Sequence, residues 1–207
     1  MKFGIIKERK NPPDRRVVFT PEELVRLQSE HPEAEIKVES SDIRIFSDDQ
    51  YRNLGLNVTT DMSDCDVLFG VKEVPIDALI PNKKYFFFSH TIKKQPYNRK
   101  LLQAILAKNI ELYDHETIVN ASNHRLIGFG RYAGLVGAYN GFRGFGIKYD
   151  LFTLPKAETL SGKEDLIARL KRQTLPNIKI VLTGHGKVGM GAKEILDGIK
   201  IKEVSVE

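Results

Sequence analysis

Short continuous apolar runs alternate with amphipathic stretches through the first 115 residues of this 207-residue chain. Phe3 to Ile6 reads as a strand. Thr20-Pro21-Glu22-Glu23-Leu24 then reads as a helix start, a capping box with proline at the first helical position. Glu35 to Glu39 is a candidate strand, and Ser47-Asp48-Asp49-Gln50 opens a second capped helix that ends before Gly55. Val67 to Val71 and Tyr85 to Phe88 are buried-strand runs. Leu101, Leu102, Ile105 and Leu106 mark a helix face ahead of a strand at Ile110 to Tyr113. Strands alternating with helices imply a parallel sheet, so the first domain is expected to be α/β and flavodoxin-like or Rossmann-like.

The pattern changes at Gly128. From there to Gly146 the chain holds 7 of its 16 glycines, and Gly130, Gly134, Gly137, Gly141 and Gly144 recur at three- and four-residue spacing. Apolar and aromatic residues fill the gaps, which predicts a glycine-lined helix instead of a loop. Each glycine costs such a helix roughly 1 kcal/mol in propensity, so a close approach of another backbone or a cofactor is expected in return. Residues 151–177, with the amphipathic Leu166, Ile167 and Leu170, read as a connector.

Lys179 to Leu182 is an apolar strand candidate that runs into Gly184-His185-Gly186-Lys187-Val188-Gly189, a G-x-G-x-x-G followed by a helical pattern. In a dinucleotide-binding turn Gly184 allows the sharp bend, Gly186 the approach of the pyrophosphate, and Gly189 close helix packing. Lys187 and Val188 would sit at the helix N-terminus, whose N–H groups face the phosphates. An acidic residue for the ribose is expected about 20 residues after the first glycine, leaving Glu203 or Glu207. The cofactor is thus NAD or NADP, with nothing to separate them. Only 18 residues follow Gly189, too few for the βαβ units of such a domain, so the chain reads as breaking off inside it. The expected organisation is a substrate domain over 1–130, a glycine-rich helix and connector over 131–177, and the start of an NAD(P)-binding Rossmann domain over 178–207.

Composition narrows the function. With 41% hydrophobic residues the chain can bury a core. Its 32 basic and 27 acidic residues leave a net charge of +5, dispersed and without the basic stripe of a nucleic-acid partner. No apolar run reaches membrane-spanning length, and the basic N-terminus lacks the apolar segment of a secretory signal. Cys65 is the one cysteine, excluding an intrachain disulfide, and acidic neighbours should raise its pKa. A cytoplasmic location fits.

In open α/β sheets ligands bind beyond the carboxyl ends of the strands. The run ending at Val71 delivers Lys72 and Glu73, and the run ending at Phe88 delivers Ser89, His90 and Thr91. A lysine and a histidine at one edge suit amine and carbonyl chemistry, where protons move as a C=N or C=O bond gains hydride. From spacing alone, a solvated lysine and a hydrogen-bonding histidine are the commoner case. Arg15-Arg16 would lie near the same edge, able to fork onto a carboxylate or to form a surface ion pair. Asp114, His115 and Glu116 match no metal signature, and no nucleophile arrangement is present.

Lys7-Glu8, then Arg16-Val17-Val18-Phe19-Thr20-Pro21 and Gly70-Val71-Lys72-Glu73, resemble the N-terminal domain shared by alanine dehydrogenases, the transhydrogenase alpha subunit and the lysine-forming saccharopine dehydrogenases. Tyr85 to Lys93, with Gln95, Leu112-Tyr113-Asp114 and Gly128 to Gly134, resemble the saccharopine dehydrogenase and lysine-ketoglutarate reductase branch in particular. The resemblance implies an NAD(P)-dependent, reversible condensation of lysine with 2-oxoglutarate to saccharopine. It makes Lys72 and His90 the acid–base pair, Lys72 having its pKa lowered by burial or by Arg16 or Lys93. Arg16 would hold a carboxylate, Glu73 and Glu116 would be electrostatic or amine-binding neighbours, and Arg125 and Phe129 further binding residues. It also implies that the chain is inactive alone and allows a homo-oligomer. An alanine dehydrogenase, a transhydrogenase alpha subunit and a non-catalytic nucleotide-binding regulator are the competing expectations.

Overall fold

The computed structural model describes residues 1–204; Glu207, one of the two acidic residues considered for the ribose, lies outside the described residues. The chain forms two compact units, the first spanning Met1–Gly128 and the second beginning at Phe129.

The first unit is built on six parallel strands: β1 (Lys2–Ile5), β2 (Glu35–Glu39), β3 (Asn57–Thr59), β4 (Val67–Phe69), β5 (Lys84–Phe87) and β6 (Glu111–Asp114). Their order is β3-β2-β1-β4-β5-β6. Strands are added to one side of β1, then the chain crosses back and continues on the other, so the order reverses between β1 and β4. That reversal leaves a crevice at their carboxyl ends, where open sheets of this kind hold ligands. β3 has no apolar run for the pattern to reveal; its pairing with β2, from Lys37 opposite Asn57 to Glu39 opposite Thr59, makes it a strand.

Successive residues of β4 face opposite sides of the sheet, and each side has its own core. Leu68 packs with Met62, Cys65, Tyr85, Phe87, Leu101 and Ile105, under α3 (Arg99–Ala107). Phe69 packs toward Ile5, Leu24, Val38 and Tyr51, under α1 (Pro21–Glu30) and α2 (Asp48–Arg52). Both capping boxes form. Thr20 Oγ1 accepts from the Glu23 N–H at 3.2 Å and Glu23 Oε2 from the Thr20 N–H at 2.7 Å, with Ser47 and Gln50 arranged likewise. Cys65 is fully buried, and burial followed by the Asp64 charge raises its thiol pKa.

Tyr51, also fully buried, donates its hydroxyl to the Phe19 carbonyl at 3.1 Å. Burial pushes its phenol up from 10.0 to about 12. Between those values the unfolded chain loses the proton and the native chain keeps it. This contribution, roughly 3 kcal/mol, is therefore present below pH about 10 and lost as the pH rises through about 12. Urea midpoints should fall over that window, and Tyr51→Phe should flatten the fall.

The second unit is helical, with α4 (Gly130–Lys148), α5 (Lys163–Lys171) and α6 (Lys187–Gly198) around Leu135, Tyr139, Phe142, Leu154, Leu166, Leu170 and Ile195. The glycines of α4 serve different purposes. A Cβ on Gly134 would run into the backbone of Val188 and Ala192, and one on Gly191 into the backbone of Arg131, so α4 and α6 cross main chain to main chain. Gly137, Gly141 and Gly144 have nothing within 4 Å of a Cβ. The strand expected at Lys179 to Leu182 is not formed. A parallel strand requires a neighbour for its N–H and C=O groups, and none of the described residues supplies one; Val181 is 85% exposed.

Candidate active site

The carboxyl ends of β4, β5 and β6 bring Lys72, His90 and Glu116 together. Lys72 Nζ lies 3.3 Å from His90 Nε2, and His90 Nδ1 lies 2.9 Å from Glu116 Oε2. Glu116 is held below the ordinary carboxylate range: burial pushes it up, but the bonds and charges of His90 and Lys93 outweigh that. A carboxylate only accepts, so the neutral His90 ring carries its proton on Nδ1 and turns the Nε2 lone pair toward Lys72. Lys72 and His90 can then share one proton, either as ammonium and imidazole or as amine and imidazolium, with Glu116 stabilising the latter.

Cations and carboxylates ring this pair. Glu73 Oε1 is 3.7 Å from His90 Nε2, while its Oε2 accepts from Lys10 Nζ at 3.2 Å. Lys93 Nζ is 3.2 Å from Glu116 Oε1, and Arg125 Nη1 is 3.9 Å from the same oxygen. The Arg125 guanidinium also lies over the Phe88 ring, 5.9 Å from its centre. Arg16 Nε donates to Asp14 Oδ1 at 2.9 Å. The Lys72 pKa is lowered by burial first, then by the Arg16 and Lys10 charges, against opposition from Glu73 and Asp14. Lys93, expected from sequence among those cations, sits instead on Glu116.

Glu8 fixes the Lys72 backbone. Its buried carboxylate reaches from the end of β1 across the crevice and accepts from the Val71 and Lys72 N–H groups at 2.7 and 2.8 Å. Burial raises its pKa, though both backbone bonds oppose the rise. His115 Nε2 lies 3.2 Å from the Gly70 carbonyl, tying β6 to the same segment. Among the described residues no group of three or more His, Cys, Asp or Glu is placed to hold a metal, and no helix is long and apolar enough to cross a membrane.

The lowered pKa of Glu116 links stability to pH. Its contacts contribute fully above its ordinary pKa of 4.5 and are lost as the pH falls through the lower native value. The difference in urea midpoint between the native protein and Glu116→Gln should therefore be constant near neutrality and shrink below pH 4.5.

The glycine turn lies in the second unit, between residues 179–182, which form no strand, and α6. Gly184 has φ +88°, and a Cβ on Gly186 would have nothing within 4 Å, leaving its backbone open to approach. A Cβ on Gly189 would meet the Gly184 carbonyl, so the helix packs tightly on its own turn. Lys187 and Val188 begin α6. Glu203 is paired with Lys193 Nζ at 2.9 Å. Phe129 immediately precedes α4.

Pattern reading left Lys10, Asp14 and the structural parts of Glu8 and Asp114 without roles. Glu8 stood within a quoted motif and Asp114 at a strand end, but long-range partners alone reveal what they do.

Residues 4–136 match the family described as alanine dehydrogenase/PNT, N-terminal domain. The chain is 31% identical over 214 residues to an alpha-aminoadipic semialdehyde synthase of Arabidopsis thaliana, covering 93% of this chain and 20% of that one. It is 27% identical over 192 residues to a saccharopine dehydrogenase [NAD(+), L-lysine-forming] of Yarrowia lipolytica, covering 83% of this chain and 51% of that one. It therefore spans about a fifth of the first relative and about half of the second. A solved L-alanine dehydrogenase shares the fold with a TM-score of 0.67 at 19% identity, covering 96% of this chain and 52% of that one. A transhydrogenase from Sinorhizobium meliloti shares it at 0.66 and 17%, covering 96% and 56%. With six parallel strands and a match to more than half its length, the chain belongs to the alanine dehydrogenase/PNT N-terminal domain family, among relatives that are amino-acid oxidoreductases.

Proposed function

We propose that this chain carries the proton-transfer site and the phosphate turn of an NAD(P)-dependent dehydrogenase that condenses L-lysine with 2-oxoglutarate to saccharopine, reversibly. The observation that carries this reading is the 3.3 Å approach of Lys72 Nζ to His90 Nε2. Its choice of substrate draws on the saccharopine dehydrogenases among the relatives.

Lys72, made less basic by burial and by Arg16, takes a proton from the incoming ammonium, freeing the amine to attack the C2 carbonyl of the oxo acid. His90 hands a proton to the carbonyl oxygen, is recharged by the proton Lys72 took, and hands that proton to the departing hydroxyl; the nitrogen's second proton returns to the Lys72–His90 pair, so that water leaves and the C=N bond forms. Glu116 stabilises the imidazolium at each stage. Arg16 and Arg125 bind substrate carboxylates, and Lys93 and Glu73 set the charge around the amine. A reduced nicotinamide, when bound, would supply the hydride for the C=N carbon. Gly184, Gly186, Lys187, Val188 and Gly189 would hold its phosphates and Glu203 its ribose.

The test joins this chain to a complete nucleotide domain and follows reduced-nicotinamide absorbance with lysine plus 2-oxoglutarate, and separately with pyruvate plus ammonia. Oxidation with the first pair alone is the expected result. Turnover with the second pair alone would replace this reading with an alanine dehydrogenase, and silence with both would leave a binding or coupling module.

A further inference from the structure

His90 has a left-handed backbone, φ +56°, which side chains bearing a Cβ seldom adopt unless their surroundings impose it. The imposing group lies beneath it. Ser89, fully buried, donates its hydroxyl to the buried Asp114 carboxylate, and its N–H points to Asp114 Oδ1 at 3.4 Å. The Ser89 oxygen accepts from the Thr91 N–H at 3.1 Å, so the residues on both sides of His90 are tied to one hydroxyl. Asp114 Oδ1 also accepts from the Glu116 N–H at 2.9 Å. One buried carboxylate thus grips the turn that carries His90 and the backbone that carries its partner Glu116.

We propose that Asp114, acting through Ser89, is the positioning residue that presets the His90–Glu116 pair and so fixes which nitrogen of His90 faces Lys72. The proposal rests on the reading of His90 as a proton carrier. Asp114 itself moves no proton: it sets the 2.9 Å contact between His90 Nδ1 and Glu116, and that contact holds the ring in its Nδ1–H form. An imidazole without such a partner favours the Nε2–H form, which would present a proton to Lys72 where a lone pair is needed.

Long-range proton–nitrogen correlation of the protein labelled with ¹⁵N-histidine reads this directly. The native protein should show neutral His90 as Nδ1–H. Asp114→Ala should shift it toward Nε2–H and lower kcat by up to about 10²-fold, as displaced catalytic groups do, with a smaller change in KM. Asp114→Asn, whose amide oxygen still accepts from both N–H groups but whose NH2 cannot accept from the Ser89 hydroxyl, should fall between the native protein and Asp114→Ala. A folded Asp114→Ala protein that keeps the Nδ1–H form and full kcat would overturn the proposal. Should that variant fail to fold, Ser89→Ala removes the hydroxyl link alone, and retention of the Nδ1–H form there would overturn it equally. If instead Lys72→Met and His90→Gln leave turnover intact, the acid–base reading falls, while the histidine spectrum still decides what Asp114 does.

Discussion

Lys72→Met and His90→Gln should each lower kcat/KM by roughly 10²–10⁴-fold, the range contributed by a positioned acid or base. Methionine keeps the length and much of the volume of lysine, so the buried methylene stem stays packed while the proton acceptor disappears. Glutamine retains a polar side chain able to reach Glu116 but has no titrating nitrogen. The loss should fall mainly on kcat, because substrate binding is assigned to Arg16 and Arg125. Urea midpoints of both variants should stay near the native value: Lys72 is only partly buried, and Glu8 secures the segment through its backbone, independently of the lysine side chain. Steady-state kinetics alongside urea unfolding separates a lost proton carrier from a damaged fold.

The largest expected effect on stability comes from Gly134→Ala. The added methyl would enter the backbone of Val188 and Ala192, which cannot rotate away as a side chain can. The helices must separate, at a cost of about 3 kcal/mol or more. Gly137, one turn further along α4, has open space at its Cβ position. Gly137→Ala should gain about 1 kcal/mol from helix propensity. Thermal unfolding followed by helical ellipticity should therefore move in opposite directions for two identical substitutions three residues apart. If both variants destabilise to the same degree, the close crossing of α4 and α6 is wrong.

Continuous apolar runs made β4 and β5 legible as Val67 to Val71 and Tyr85 to Phe88, each within two residues of the observed bounds. The two capped helices were legible for a local reason: both capping boxes lie within four residues. β3, with the polar Asn57 and Thr59 around Val58, carries no such signal and exists through its pairing with β2. At Lys179 to Leu182 the apolar run was present and the pairing absent, so propensity alone made no strand. The site divides similarly. Strand ends placed Lys72 and His90 along one edge and the resemblance added Glu116, whereas the grip of Glu8 on Lys72 spans 64 residues and that of Asp114 on Ser89 spans 25. No spacing rule connects residues so far apart.

The central claim is that Lys72 and His90 act as one proton-sharing unit. A double-mutant cycle on kcat, comparing Lys72→Met, His90→Gln and the two combined, tests it most directly. Groups that act together are strongly non-additive, so the double variant should be no slower than the slower single variant. Losses that multiply would show two independent groups and contradict the shared proton.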